Sequence, residues 1–140
     1  MIDAELRPRG PYSLRLTTMI AGDACRSVRE GIVTAVLPEG RAQAWQRPDG
    51  AVCIRAADEA AVERMRFCLA LDDDHSEFLR RFARDPLIGR ATRELRGLRP
   101  ARVPTVAQAL LRAVAGQLIT WKEARDVERR VIRAATQREP

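Results

Sequence analysis

The chain has 140 residues, of which 46% are apolar and 31% charged, with 25 basic and 19 acidic side chains and a net charge of +6. Such a composition reads as soluble and globular with a real core, and it excludes a disordered chain. No apolar run approaches the ~18 residues of a membrane span, so no membrane association is expected. Met1 to Gly10 carries Asp3, Glu5, Arg7 and Arg9 with no apolar h-region. It does not read as a secretory signal, and a cytoplasmic location is expected.

In chain order, Tyr12 to Thr18 alternates, with Leu14 and Leu16 opposite Ser13, Arg15 and Thr17, which predicts a half-buried strand. Ile20 to Glu30 is ambiguous, a short helix or a turn around Gly22-Asp23. Ile32 to Leu37 is apolar and β-branched and is stopped by Pro38-Glu39-Gly40. Arg41 to Arg47 and Ala51 to Ala56 flank Pro48-Asp49-Gly50, which predicts a β-hairpin. Asp58 to Leu71 then changes period. Ala61, Val62, Met65, Cys68 and Leu69 recur at helical spacing behind Asp58 as N-cap.

From Asp72 onward the pattern is helical. Asp72-Asp73-Asp74-His75-Ser76 resembles a helix start, and Phe78, Leu79 and Phe82 form the apolar face that follows. Asp85-Pro86 breaks this helix, and Leu87 to Leu95 predicts another, ended by Gly97 and Pro100. Thr105 to Gln108 is a capping box ahead of Ala107, Leu110, Leu111, Val114 and Leu118. Thr120 to Glu123 is a second one, ahead of Ala124, Val127, Val131 and Ala135. Two helices therefore meet at a sharp corner around Gln117-Leu118-Ile119-Thr120.

The charge is unevenly placed. Residues 1–72 hold 10 basic and 10 acidic side chains, and residues 73–140 hold 15 basic and 9 acidic. Nine arginines between Arg80 and Arg112 face only Asp85 and Glu94, a balance that points to a polyanion. Only Lys122 is a lysine, so arginine bias contributes to the pattern. Catalytic constellations are missing: one histidine, His75, supports no Ser/His/Asp or Cys/His arrangement. Cys25, Cys53 and Cys68 are odd in number and widely spaced, and the three aspartates lack calcium-loop spacing. No metal, no cofactor and no catalytic residue is expected.

Five pieces in order carry a resemblance: Arg64 to Asp74, Phe78 to Phe82, Asp85 to Gly89, Leu98 to Pro100, and Ala109 to Ile119. Together they resemble the DNA-3-methyladenine glycosylase II family, a helix-hairpin-helix DNA glycosylase family, over about residues 10–137. The resemblance implies an α+β fold class: a small N-terminal antiparallel sheet with a helix, shaped like half of a TATA-binding protein, followed by the first helices of an all-α glycosylase domain. The corresponding domains are residues 1–72 and residues 73–140. It also implies DNA repair without metal or redox cofactor. Such enzymes flip an alkylated purine out of double-stranded DNA and hydrolyse its N-glycosidic bond, with a catalytic aspartate behind a helix-hairpin-helix. Gln117 and Leu118 match the corner that faces DNA, where an apolar side chain fills the gap left by the flipped nucleotide. Leu118 is also in phase with Leu111 and Val114, so it can equally end an apolar helix face.

After this corner the sequence has one more helix, with no helix-hairpin-helix and no aspartate in a matching context. Asp126 lies mid-helix and takes no catalytic role. The expectation is a truncated chain, inactive alone. Two other readings stand beside it: a non-catalytic DNA-binding module using the arginine-rich segment, and an interaction protein that self-associates through uncovered helix faces.

Overall fold

The computed structural model describes residues 1–19, 24–117 and 119–136. Five strands form one antiparallel sheet: β1 (Ile2–Leu6), β2 (Arg26–Arg29), β3 (Ile32–Leu37), β4 (Gly40–Gln46) and β5 (Val52–Ala56), in the order β1-β5-β4-β3-β2. The six helices among the described residues are α1 (Leu14–Met19), α2 (Glu59–Cys68), α3 (Ser76–Phe82), α4 (Gly89–Glu94), α5 (Val106–Ala115) and α6 (Trp121–Thr136). The fold is α+β, as the resemblance implies. No helix among the described residues is long and apolar enough to cross a membrane.

Tight turns set the register. Glu30 and Gly31 both take positive φ, the backbone a two-residue hairpin between right-twisted strands requires, and Arg29 pairs with Ile32 across them. At the expected hairpin, Arg47 N–H donates to the Ala51 carbonyl and Asp49 Oδ1 accepts from Ala51 N–H. The inner face of the sheet is Val33, Ala35, Ala42, Ala44, Val52, Ile54 and Ala56. Its many alanines let α2 sit close and bury Ala61, Val62, Met65 and Cys68 on it. Asp58 caps α2 as expected, its carboxylate accepting from Ala61 N–H at 2.8 Å. The helix stops at Cys68 rather than Leu71. Ala70 turns left-handed, and Leu71 and Ala70 donate back to the Arg66 and Phe67 carbonyls, a Schellman closure without its usual glycine.

One expectation needs correction at the N-terminus. Tyr12 to Thr18 is not a strand. Leu14–Met19 is α1, and its buried face is Leu14, Thr17 and Thr18, a helical spacing. The threonines enter the interior because their hydroxyls find partners: Thr18 Oγ1 donates to the Leu14 carbonyl, and Thr17 Oγ1 accepts from Arg99 N–H. The first strand is instead β1, which pairs with β5 along its whole length. Its outward Asp3 binds Arg55 on β5, and Glu5 binds Arg47 in the turn that follows β4. The turn read around Gly22-Asp23 lies outside the described residues.

The segment between α4 and α5 returns to the sheet unit and locks it. Arg99 is 1% exposed. Its guanidinium donates to the carbonyls of Ala70, Arg9 and Pro11 and lies 4.8 Å from the Tyr12 ring centre. Gly97 makes the approach feasible. It has φ +96°, and a Cβ there would fall 2.9 Å from the backbone of Tyr12 and Ser13. Arg102 then grips both carboxylate oxygens of Asp73, and Arg64 joins Glu39 to the Pro104 carbonyl. The Arg99 bonds and the bond of Arg64 to Pro104 cross between residues 1–72 and residues 73–140.

Candidate nucleic-acid interface

Helices α5 and α6 pack on each other as a hairpin, and their caps are the two predicted ones. Thr105 Oγ1 accepts from Gln108 N–H at 3.1 Å. At α6 the reciprocal pair is complete, with Glu123 accepting from Thr120 N–H while Thr120 Oγ1 accepts from Glu123 N–H. The Thr120 hydroxyl, donating to Glu123 Oε2, holds that carboxyl below its usual range. These bonds fix the angle at which α6 leaves the corner.

At the corner Gln117 is exposed, free to reach a partner. Leu118 lies outside the described residues, so the structure assigns it no orientation. Ile119 beside it is exposed. Next to the corner a cleft of about 640 Å³ opens between the two helices and the end of α1, lined by Met19, Arg112, Trp121, Arg125 and Glu128. Trp121 is 72% exposed and Glu128 only 3%. The volume falls in the range of small-molecule sites, about 300–1,000 Å³. An exposed indole beside an enclosed carboxylate and two guanidiniums offers a stacking surface with polar groups around it.

Beyond Arg112 in the arginine run, sequence reasoning did not single out these lining residues, although two signals were present. Trp121 opens a capped helix, where a large aromatic has no neighbouring turn to pack on. Glu128 shares the inward face with Ala124, four residues before it, and places a carboxylate on an otherwise apolar stripe.

The arginine-rich segment divides by use. Arg99 is in the core, and Arg102 is engaged by Asp73 and the Phe67 ring. Arg80, Arg81, Arg84, Arg90, Arg93 and Arg96 stay exposed on and around α3 and α4. Arg90 pairs with Glu94, and Arg93 donates to the Ala83 carbonyl. Surface cations of this kind suit phosphate contacts, which position a duplex without reading its sequence. Phe78, expected on an apolar face, stacks on Phe82 with ring centres 4.8 Å apart yet remains half exposed, because α3 buries no residue fully. Cys25, Cys53 and Cys68 form no disulfide among the described residues.

This fold is shared with DNA glycosylases of known structure. The 3-methyladenine DNA-glycosylase from Archaeoglobus fulgidus matches with a TM-score of 0.69 at 15% identity, over 92% of this chain and 49% of that one. MBOgg1 in complex with a low-affinity DNA ligand matches with a TM-score of 0.71 at 15% identity, over 88% of this chain and 43% of that one. The chain thus spans less than half the length of the solved structures it matches. No family model and no curated protein matches the sequence.

Proposed function

We propose that these residues form the DNA-engaging N-terminal portion of a base-excision glycosylase of the 3-methyladenine type. The observation that carries the reading is the glycosylase fold over 92% of the chain, combined with an exposed corner where the sequence resembles the family's DNA-facing motif. In this reading Gln117 and Leu118 enter duplex DNA at a damaged base, and Leu118 replaces the lost stacking. The adjoining cleft receives the extruded purine, with Trp121 as stacking surface. An alkylated base pairs and stacks poorly, so extruding it costs less than extruding an intact one. The exposed arginines of α3 and α4 hold the backbone. The domain arrangement of the reading is residues 1–72 followed by the start of a helical glycosylase domain, in the bacterial cytosol.

These 140 residues hold the corner but not the aspartate to which the resemblance assigns the chemistry, so this polypeptide is expected to bind without excising. The test is incubation of the purified chain with methylated duplex DNA, followed by chromatography of the released bases. No free 3-methyladenine is expected, and its release overturns that part. Binding, followed by gel shift, is expected to weaken steeply with salt as counterions are released. Salt-insensitive binding, or none at low salt, counts against the whole reading.

A second reading, an interaction module, is favoured by the exposed Val106, Leu110, Val114, Val127 and Val131 along α5 and α6. It expects a dimer by light scattering, and a concentration-independent monomer removes it.

A further inference from the structure

Trp121, Ala124, Arg125 and Glu128 of α6 all line the cleft beside the corner. Their spacing, i, i+3, i+4 and i+7, is one face of a helix. Of the acidic residues of α6, Glu123 and Asp126 are exposed, and each has a use: Glu123 caps the helix and Asp126 pairs with Arg129. Glu128 is turned inward instead, at 3% exposure.

The Glu128 carboxylate makes no hydrogen bond or ion pair with any described residue, neither with Arg112 nor with Arg125 across the cleft. Arg125 Nε is buried and likewise has no partner among the described residues. A carboxylate taken out of water without donors is costly, because no bond offsets its lost hydration. A neutral or apolar side chain of similar size at this position would leave the chain equally stable or more so. A helix with exposed positions for charge that nevertheless encloses an unpaired one breaks the rules of packing, and such breaks mark functional sites.

We propose that Glu128 sets the base preference of this cleft: its carboxylate accepts a hydrogen bond from the exocyclic amine of an extruded adenine-type base while the ring lies on Trp121. The inference rests on the reading of the cleft as the place that receives the base. An ionised carboxylate accepts only and a guanidinium donates only, so Glu128 and Arg125 together fit an edge that carries a donor beside an acceptor. On the edge that bears N7, adenine presents its N6 amine beside that acceptor, whereas guanine presents O6 and N7, two acceptors. A phosphate group meets a like charge at Glu128 and is repelled.

The test is fluorescence anisotropy of the chain with two labelled duplexes, each carrying one bulged base: adenine in the first, and purine, which is adenine without its amine, in the second. The adenine duplex is expected to bind about tenfold more tightly. Glu128→Ala is expected to abolish that difference, and Glu128→Gln, which keeps an acceptor oxygen without the charge, to retain part of it. Trp121→Ala is expected to weaken both duplexes alike. In urea denaturation both Glu128 variants are expected to be at least as stable as the parent chain. A lowered urea midpoint for Glu128→Gln means that the chain itself holds the carboxylate and overturns the proposal. An adenine preference that survives in folded Glu128→Ala also overturns it. Equal binding of the two duplexes, weakened by Trp121→Ala, overturns it while leaving the cleft as the base-receiving site. Affinities unmoved by Trp121→Ala remove both.

Discussion

The sheet with α2 and the α5–α6 hairpin are built from the same amphipathic logic but finish differently. In the first, Val52, Ile54, Ala61, Met65 and Leu69 are fully buried, and the returning segment closes the unit through Arg99. In the second, Val106, Leu110, Val114, Val127 and Val131 run along the helices at 39–86% exposure. Apolar periodicity reports that a face is made to be covered; what covers it is decided by topology. In the sheet unit it is the chain itself. On the hairpin, well-capped helices hold an open face and an exposed corner, the condition of a surface that meets something else.

The contrast breaks first at Arg99. Arg99→Ala leaves one buried and two part-buried carbonyls without this donor and empties a core position, and is expected to cost about 3 kcal/mol, measured by urea denaturation. A loss below about 1 kcal/mol makes the returning segment peripheral. Next is a matched pair of truncations. Ile54→Ala is expected to cost about 2–5 kcal/mol, and Leu110→Ala, at 64% exposure, to stay within about 0.5 kcal/mol. Equal losses erase the distinction between the two regions. The caps come third: Thr105→Ala is expected to cost about 1 kcal/mol, with the helicity of the hairpin following it in circular dichroism.

The smallest effects are electrostatic. Arg66 beside Asp72 holds that carboxyl below its ordinary range. Its contribution is complete above the ordinary carboxylate range and is lost as pH falls through the lowered folded value. An Arg66→Gln chain is expected to show a shallower acid loss. At the other end, burial pushes the Tyr12 phenol up, against the Thr17 hydroxyl and the Arg99 charge. The neutral phenol is the form the fold holds, so stability is full below its ordinary value and declines as pH rises above it. Tyr12→Phe is expected to flatten that alkaline decline, and an unchanged slope places its origin elsewhere.

Legibility followed the same division. The Pro48-Asp49-Gly50 hairpin, the Asp58 and Thr105 caps and the Thr120–Glu123 capping box were readable because each depends on a few adjacent residues. β1 carried a readable alternation of Ile2, Ala4 and Leu6, but it is short, and its partner β5 lies some fifty residues on. α1 was misread because Thr17 and Thr18 count as polar until Arg99 and the Leu14 carbonyl supply their partners. Arg99 itself read as one more cation in a basic run. That it is a core residue depends on Ala70, Arg9 and Pro11 converging on it, and no local pattern encodes that convergence. Gln117 is assigned to the proposed DNA-facing corner by resemblance alone, whereas Arg112 and Glu128 line the cleft beside it only once α5 meets α6.

The central claim is that the α5–α6 corner enters DNA where a base has left the stack. Its most direct measurement is fluorescence anisotropy of a labelled duplex carrying one abasic site against the same duplex intact, for the chain and for Leu118→Ala. The account predicts tighter binding to the abasic duplex, with Leu118→Ala losing most of that preference and little of the affinity for intact DNA. A preference that survives Leu118→Ala unchanged, or no preference in the parent chain, contradicts it.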